Sequence, residues 1–163
     1  MQVLKRILDF IEKALDAILI VMMIIMCGSV VIQVFSRYVL NRPTSWSEEM
    51  ARYLLVWITM IGAGVVIRGR GHIDVDILVS RLPDRLRLIV GLFSDLAVLF
   101  FLGVLCWGGI GITQVAHRQL SAATDIPMSL FYLALPLGAF FMILFLVSTM
   151  AREWAERLRR GMR

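Results

Sequence analysis

The sequence has little with which to do chemistry: among 163 residues there are two cysteines and two histidines. Cys27 and Cys106 each sit inside an apolar run, with no CxxC pair and no histidine at ligand spacing. That speaks against a disulfide framework or a thiol centre, and both read as small buried apolar side chains. There is no Ser-His-Asp set, no P-loop and no Gly-rich phosphate cradle. Charge is scarce too. Charged residues are 18% of the chain and hydrophobic residues 60%, against about a quarter and about half in soluble domains. The charges cluster between long runs that hold almost none, and such runs would leave no polar face for water. A soluble core is thereby excluded and membrane insertion remains. The net charge of +5 would raise nucleic-acid binding in a soluble protein. Here Lys and Arg lie in loops and tails, where they orient helices and meet anionic phospholipid head groups, so no nucleic-acid partner is expected. A cleaved signal peptide is not expected either. The first apolar run is too long, Asp9, Glu12 and Asp16 precede it, and Met26 is too bulky before Cys27 for lipoprotein processing.

What is present is four apolar runs, at about 17–36, 48–67, 89–116 and 126–151. A helix of roughly 20 residues crosses a ~30 Å hydrocarbon core. Helices are expected throughout, because they satisfy their own backbone in lipid. The fold class is all-α integral membrane: a four-transmembrane-helix bundle forming a single domain over 1–163. Ahead of the first span, Val3, Leu4, Ile7, Leu8 and Ile11 share one helical face, with Lys5, Arg6, Asp9, Glu12 and Lys13 around the rest. This predicts an amphipathic helix, either lying on the membrane surface or extending the first span. A second interfacial stretch runs from His72 to Arg87, a short strand or a loop leading into a helix at Pro83. Pro136 removes a hydrogen bond to Tyr132 and is expected to kink the fourth span. Gly62, Gly64, Gly103, Gly108, Gly109 and Gly111 permit close helix approach.

Orientation follows from the basic residues. Thirteen of the 17 Lys and Arg lie in the N-terminal segment, the loop between spans two and three, and the tail. By the positive-inside rule both termini and the middle loop are cytoplasmic. A carrier or membrane enzyme would gather polar groups near the midplane. Asp95 is the one acid inside a span, roughly 10 Å in from its cytoplasmic end on helical rise. It reads either as a proton or cation site or as an acid paired across the bundle or to a partner. With no second acid at similar depth, pairing is the better reading. His72 and His117 fall on opposite membrane faces, which disfavours a haem, and no ligand trio suits zinc. No cofactor is expected.

One cluster stands apart: Ser36-Arg37-Tyr38, Asn41 to Pro43, then Trp46-Ser47-Glu48-Glu49, with Arg52 and Trp57 beyond. Ser45 or Ser47 can cap the second helix, and Glu48 and Glu49 then suit its dipole. Glu48 and Arg52 form an i,i+4 pair, and Trp46 suits the aromatic belt. The cluster reads either as helix-end architecture or as a docking surface.

In order and spacing these residues resemble the small membrane subunit of tripartite ATP-independent periplasmic (TRAP) transporters. The resemblance rests on Phe35–Tyr38 (FSRY), Trp46–Arg52 (WSEEMAR), Trp57 and Gly62-Ala63. It continues through His72-Ile73-Asp74-Val75-Asp76 and Leu82-Pro83, and covers essentially the whole chain. It implies a multi-pass inner-membrane protein that is not an enzyme. The implied partners are a large polytopic membrane subunit, which holds the substrate and ion sites, and a periplasmic substrate-binding protein that delivers an organic acid. By this resemblance Arg37, Tyr38, Trp46, Glu48, Glu49, Arg52 and Trp57 shape the periplasmic side, and His72, Asp74 and Asp76 the cytoplasmic loop. Two rivals stand beside it. A self-sufficient homo-oligomeric proton-coupled exporter needs a mid-span acid that the first span lacks. A membrane anchor of a redox enzyme is weakened by the absent haem ligands.

Overall fold

The computed structural model describes residues 2–42, 44–69 and 84–161. The loop residues His72, Asp74 and Asp76, and the helix start expected at Pro83, lie outside the described residues. Five helices are described: α1 (Gln2–Tyr38), α2 (Ser45–Gly69), α3 (Asp84–Ala116), α4 (Ser129–Tyr132) and α5 (Ala134–Gly161). Among the described residues four stretches are long and apolar enough to cross a membrane: Arg6–Tyr38, Ser45–Arg68, Ile89–Ala116 and Ser129–Ala151. The last of these joins α4 to α5.

The N-terminal amphipathic segment is not a separate element. α1 runs unbroken for 37 residues, roughly 55 Å at about 1.5 Å per residue, far more than a ~30 Å core requires. It stops where Asn41 adopts a left-handed conformation (φ 50°) and the Arg42 N–H donates to the Ser36 carbonyl at 3.0 Å. That closure caps the helix end, and Asn tolerates the left-handed site better than most residues. Thr44 and Ser47 then secure the entry to α2. The Ser47 hydroxyl donates to the Thr44 carbonyl at 3.0 Å and lies 2.7 Å from the Thr44 hydroxyl. The expectation that Ser45 or Ser47 would cap α2 is thus corrected: Ser45 is already helical, and Ser47 acts by reaching back.

The fourth span starts later than the expected 126. Residues 119–128 form a small hairpin instead, with an antiparallel bridge between Leu120 and Pro127. Ser121 N–H donates to Ile126 C=O at 2.9 Å and Met128 N–H to Gln119 C=O at 2.8 Å. Further along, the helix is interrupted at Leu133. Pro136 has no N–H to give Tyr132, so the chain breaks one turn ahead of the ring.

The spans pack in the order α1, α2, α5, α3. Among the described residues the backbones of α1 and α3 nowhere come within 8 Å, and neither do those of α1 and α5. α5 is the spine, and its Phe145 is fully buried beside Leu8, Leu15 and Ile61. A second cluster joins Leu102 of α3 to Met142 and Leu146. Glycines set the two tightest crossings. A Cβ on Gly138 would meet Met60 Cβ at 2.6 Å and Met60 backbone at 3.0 Å, and one on Gly109 would meet the Pro136 ring at 2.9 Å. Gly64 touches Phe141 more loosely at 3.4 Å, whereas Gly62, Gly103, Gly108 and Gly111 face open space. Of the glycines expected to mediate helix approach, Gly64 and Gly109 do so within the chain.

Candidate functional site

The turn between α1 and α2 and the 119–128 hairpin share one end of the molecule, the loop end. The candidate residues there divide into two groups that face different ways. Arg37 and Glu48 line a cavity of about 90 Å³ with Gln33, Thr44 and Ser45. Glu48 also receives Arg52 at 3.4 Å, with both side chains more than half exposed. Such exposed i,i+4 pairs contribute only about 0.3–0.5 kcal/mol. Tyr38 and Trp46 are exposed. Trp57 lies deeper, half-buried against the Leu8, Leu15, Ile61 and Phe145 core, so its role here is packing.

Glu49 turns the other way and is engaged within the chain. One carboxylate oxygen accepts the Tyr53 hydroxyl at 2.6 Å. The other accepts the Ser121 hydroxyl at 2.5 Å and the Ala123 N–H at 3.0 Å. Ser121, in turn, accepts from Thr124 N–H at 3.3 Å and touches the Thr124 hydroxyl at 2.8 Å. The Tyr53 ring stacks on Phe131, centroids 3.3 Å apart, and its hydroxyl touches Met128 Sδ at 3.2 Å. One carboxylate therefore ties the start of α2 to the hairpin between α3 and α4. Hydrogen bonds to an ionised acceptor are stronger than neutral ones. The hairpin needs the anchor, because Asp125 holds a left-handed backbone (φ 53°).

Sequence reading missed this hub, since Ser121 is 72 residues from Glu49 and nothing local marks the pair. It also missed a clamp at the opposite end. The Arg68 guanidinium reaches both Asp9 and Glu12 of α1 and lies 5.4 Å from the Phe145 ring centroid. A signal for it existed: Asp9 and Glu12 are one turn apart, and antiparallel spans bring them level with Arg68. Asp95 is buried, 8% exposed, on α3. Among the described residues no three His, Cys, Asp or Glu side chains gather in a metal-binding group.

Comparison with known proteins agrees with this architecture. Residues 26–156 match the family described as tripartite ATP-independent periplasmic transporters, DctQ component. The sialic acid TRAP transporter small permease protein SiaQ of Vibrio cholerae is 27% identical over 148 residues, spanning 88% of this chain and 81% of that protein. The C4-dicarboxylate TRAP transporter small permease protein DctQ of Rhodobacter capsulatus is 31% identical over 101 residues, 60% of this chain and 44% of that one. The isethionate TRAP transporter permease protein DctMQ of Oleidesulfovibrio alaskensis is 32% identical over 110 residues. That match takes 66% of this chain but 17% of a much longer relative. An all-helical chain with four membrane-spanning stretches, matching this family over most of its length, is a TRAP small permease: it belongs to the DctQ component family and is a multi-pass inner-membrane transporter subunit rather than an enzyme.

Proposed function

We propose that this chain is the fixed scaffold of a three-part importer. It assembles with a large membrane subunit that holds the substrate and ion sites, and with a periplasmic protein that captures an organic acid. The observation that carries the reading is the pair of relatives DctMQ and SiaQ. The same module stands alone in one and occupies under a fifth of a longer permease in the other, which favours direct contact between the module and the large part. The relatives are named for C4-dicarboxylates, sialic acid and isethionate, all anionic organic acids. Such variety around one module fits selectivity residing in other chains. On this reading both termini are cytoplasmic, by the placement of Lys and Arg, and the loop end faces the periplasm. Arg37, Tyr38, Trp46, Glu48 and Arg52 then offer a periplasmic contact surface. Glu49 contributes by holding the hairpin in place, and His72, Asp74 and Asp76 belong to the cytoplasmic side.

The test is uptake in proteoliposomes containing the large subunit and the binding protein, with and without this chain. Transport of an organic acid down an imposed cation gradient should require it. Trp46→Ala combined with Glu49→Ala should lower uptake while ligand capture by the soluble protein stays intact. Normal uptake and normal assembly in that double variant would refute the periplasmic contact surface. Asp95→Asn is expected to leave the cation dependence unchanged. A changed coupling ratio would make Asp95 part of an ion site and revive the carrier reading.

A further inference from the structure

α3 and the α4–α5 segment touch at Gly109 against Pro136, and nearer the loop end His117 of α3 reaches Ser129 of α4. The space between them is a groove of about 300 Å³ lined by Thr113, Gln114 and His117 of α3 and by Ser129, Leu130 and Leu133. It straddles the edge of the membrane, since one span ends at Ala116 and the next begins at Ser129. Its two levels differ in chemistry. At the mouth are Gln114, His117 and Ser129, with His117 Nδ1 3.4 Å from the Ser129 hydroxyl and the exposed Arg118 following in sequence. No carboxylate lines it. Below the mouth, Leu130 and Leu133 are followed one turn on by the exposed Leu137, and Ile110, one turn below Thr113 and Gln114, is exposed too. The Thr113 hydroxyl is turned back to the Gly109 carbonyl at 2.7 Å, which leaves the lower part of the groove apolar.

We infer that this groove is a binding site for one glycerophospholipid, with the headgroup phosphate at His117 and Gln114 and an acyl chain along Leu130, Leu133 and Leu137. Donors and a neighbouring cation at the mouth, with no acid among the lining residues, complement a phosphodiester. Apolar surface directly beneath complements a hydrocarbon chain, and the site lies at the depth where a phospholipid changes from one to the other. A soluble phosphate would leave the leucines uncovered, and a plain alkyl chain would leave the polar mouth unsatisfied. The site makes no use of Glu49, Arg68 or the Arg37–Glu48 cavity, so it is independent of the docking surface proposed above. Its function is to fill the groove where α3 and α4 meet the membrane edge and so steady their packing.

The experiment is native mass spectrometry of the full chain in mild detergent, titrated with phosphatidylglycerol and, separately, with soluble glycerol 3-phosphate. The wild type should retain one lipid at low micromolar concentration and show no saturable binding of the soluble phosphate. His117→Leu with Gln114→Leu should weaken retention by at least tenfold. Leu133→Trp, which fills the apolar floor and leaves the headgroup donors in place, should weaken it comparably. Circular dichroism and thermal midpoint keep either variant interpretable. Retention unchanged in both variants would overturn the site. Equal binding of glycerol 3-phosphate would overturn the lipid assignment. Loss of lipid when the large membrane subunit is added would show that a protein segment occupies the groove instead. None of these outcomes touches the subunit reading, which stands or falls on uptake.

Discussion

α1 and α5 are both long apolar helices, yet the chain treats them differently. Over an 18-residue apolar stretch of each, 39% of the residues in the fourth span are buried inside the protein against 6% in the first. α5 packs on both α2 and α3, and a glycine lets it approach α2 at van der Waals distance. The backbone of α1 approaches α2 alone, its side chains meet α5 only where Leu8 and Leu15 lie beside Phe145, and its outer face leaves Ile20, Ile24, Val31 and Phe35 exposed. In lipid there is no hydrophobic gain from burying one apolar helix against another, so close packing and polar contacts decide which helices hold. α5 has the packing. α1 has a shorter apolar seam, through Leu8, Ile11, Leu15 and Leu19, and the Arg68 clamp near its N-terminal end. The comparison separates a closely packed α2–α5–α3 core from a helix held along one side and fastened by Arg68.

The largest effect should come from breaking the core. Gly138→Leu drives a side chain into the Met60 backbone and should cost at least the ~1–3 kcal/mol typical of overpacking. It should appear as a fall in thermal midpoint and in yield. Gly62→Leu, which meets open space, is the control and should change the midpoint little. If the two behave alike, the α2–α5 crossing is not the core contact.

Unfastening α1 should come next. Arg68→Leu leaves Asp9 and Glu12 without their cation, and its side chain is only 14% exposed while theirs are 45% and 29%. Removing one partner of a well-buried pair costs ~3–5 kcal/mol, and this half-exposed geometry should retain a fraction, about 1–2. The loss should fall on α1: a Cys pair spanning α1 and α2 should cross-link more slowly, while one spanning α2 and α5 is unaffected. Equal slowing in both pairs would dissolve the distinction between core and fastened helix.

Much of the architecture was legible in the sequence. Charge-free runs of the right length give four spans, and the chain's polar segments could not sit elsewhere. The interruption of the fourth span follows from Pro136. The packing order was not legible, because helices that are apolar nearly all round do not advertise which face meets a neighbour. Gly138 looks no different from Gly62 or Gly103 in sequence, and only the Met60 backbone above it gives it a role. At the candidate site the cluster from Arg37 to Arg52 was recognisable as a unit. Its division into an outward group and an inward Glu49 was not, because the partners of Glu49 lie on a distant hairpin.

That division predicts a local effect. Glu49→Ala should release the 119–128 hairpin and raise its amide exchange by roughly tenfold, as loss of several hydrogen bonds to a charged group implies. Exchange in α1 should not change. The smallest effect belongs to the outward group, where Arg52→Ala should alter stability by no more than about 0.5 kcal/mol. A larger change would place Arg52 in contacts beyond Glu48.

The most direct test of the central claim is a mild-detergent pull-down of the tagged chain, expressed with its neighbouring genes, with partners identified by mass. A large polytopic membrane protein recovered in one-to-one ratio is the predicted result, and the exposed face of α1 would be the first place to map the contact. A stable assembly of this chain with itself and no other protein would contradict the subunit reading.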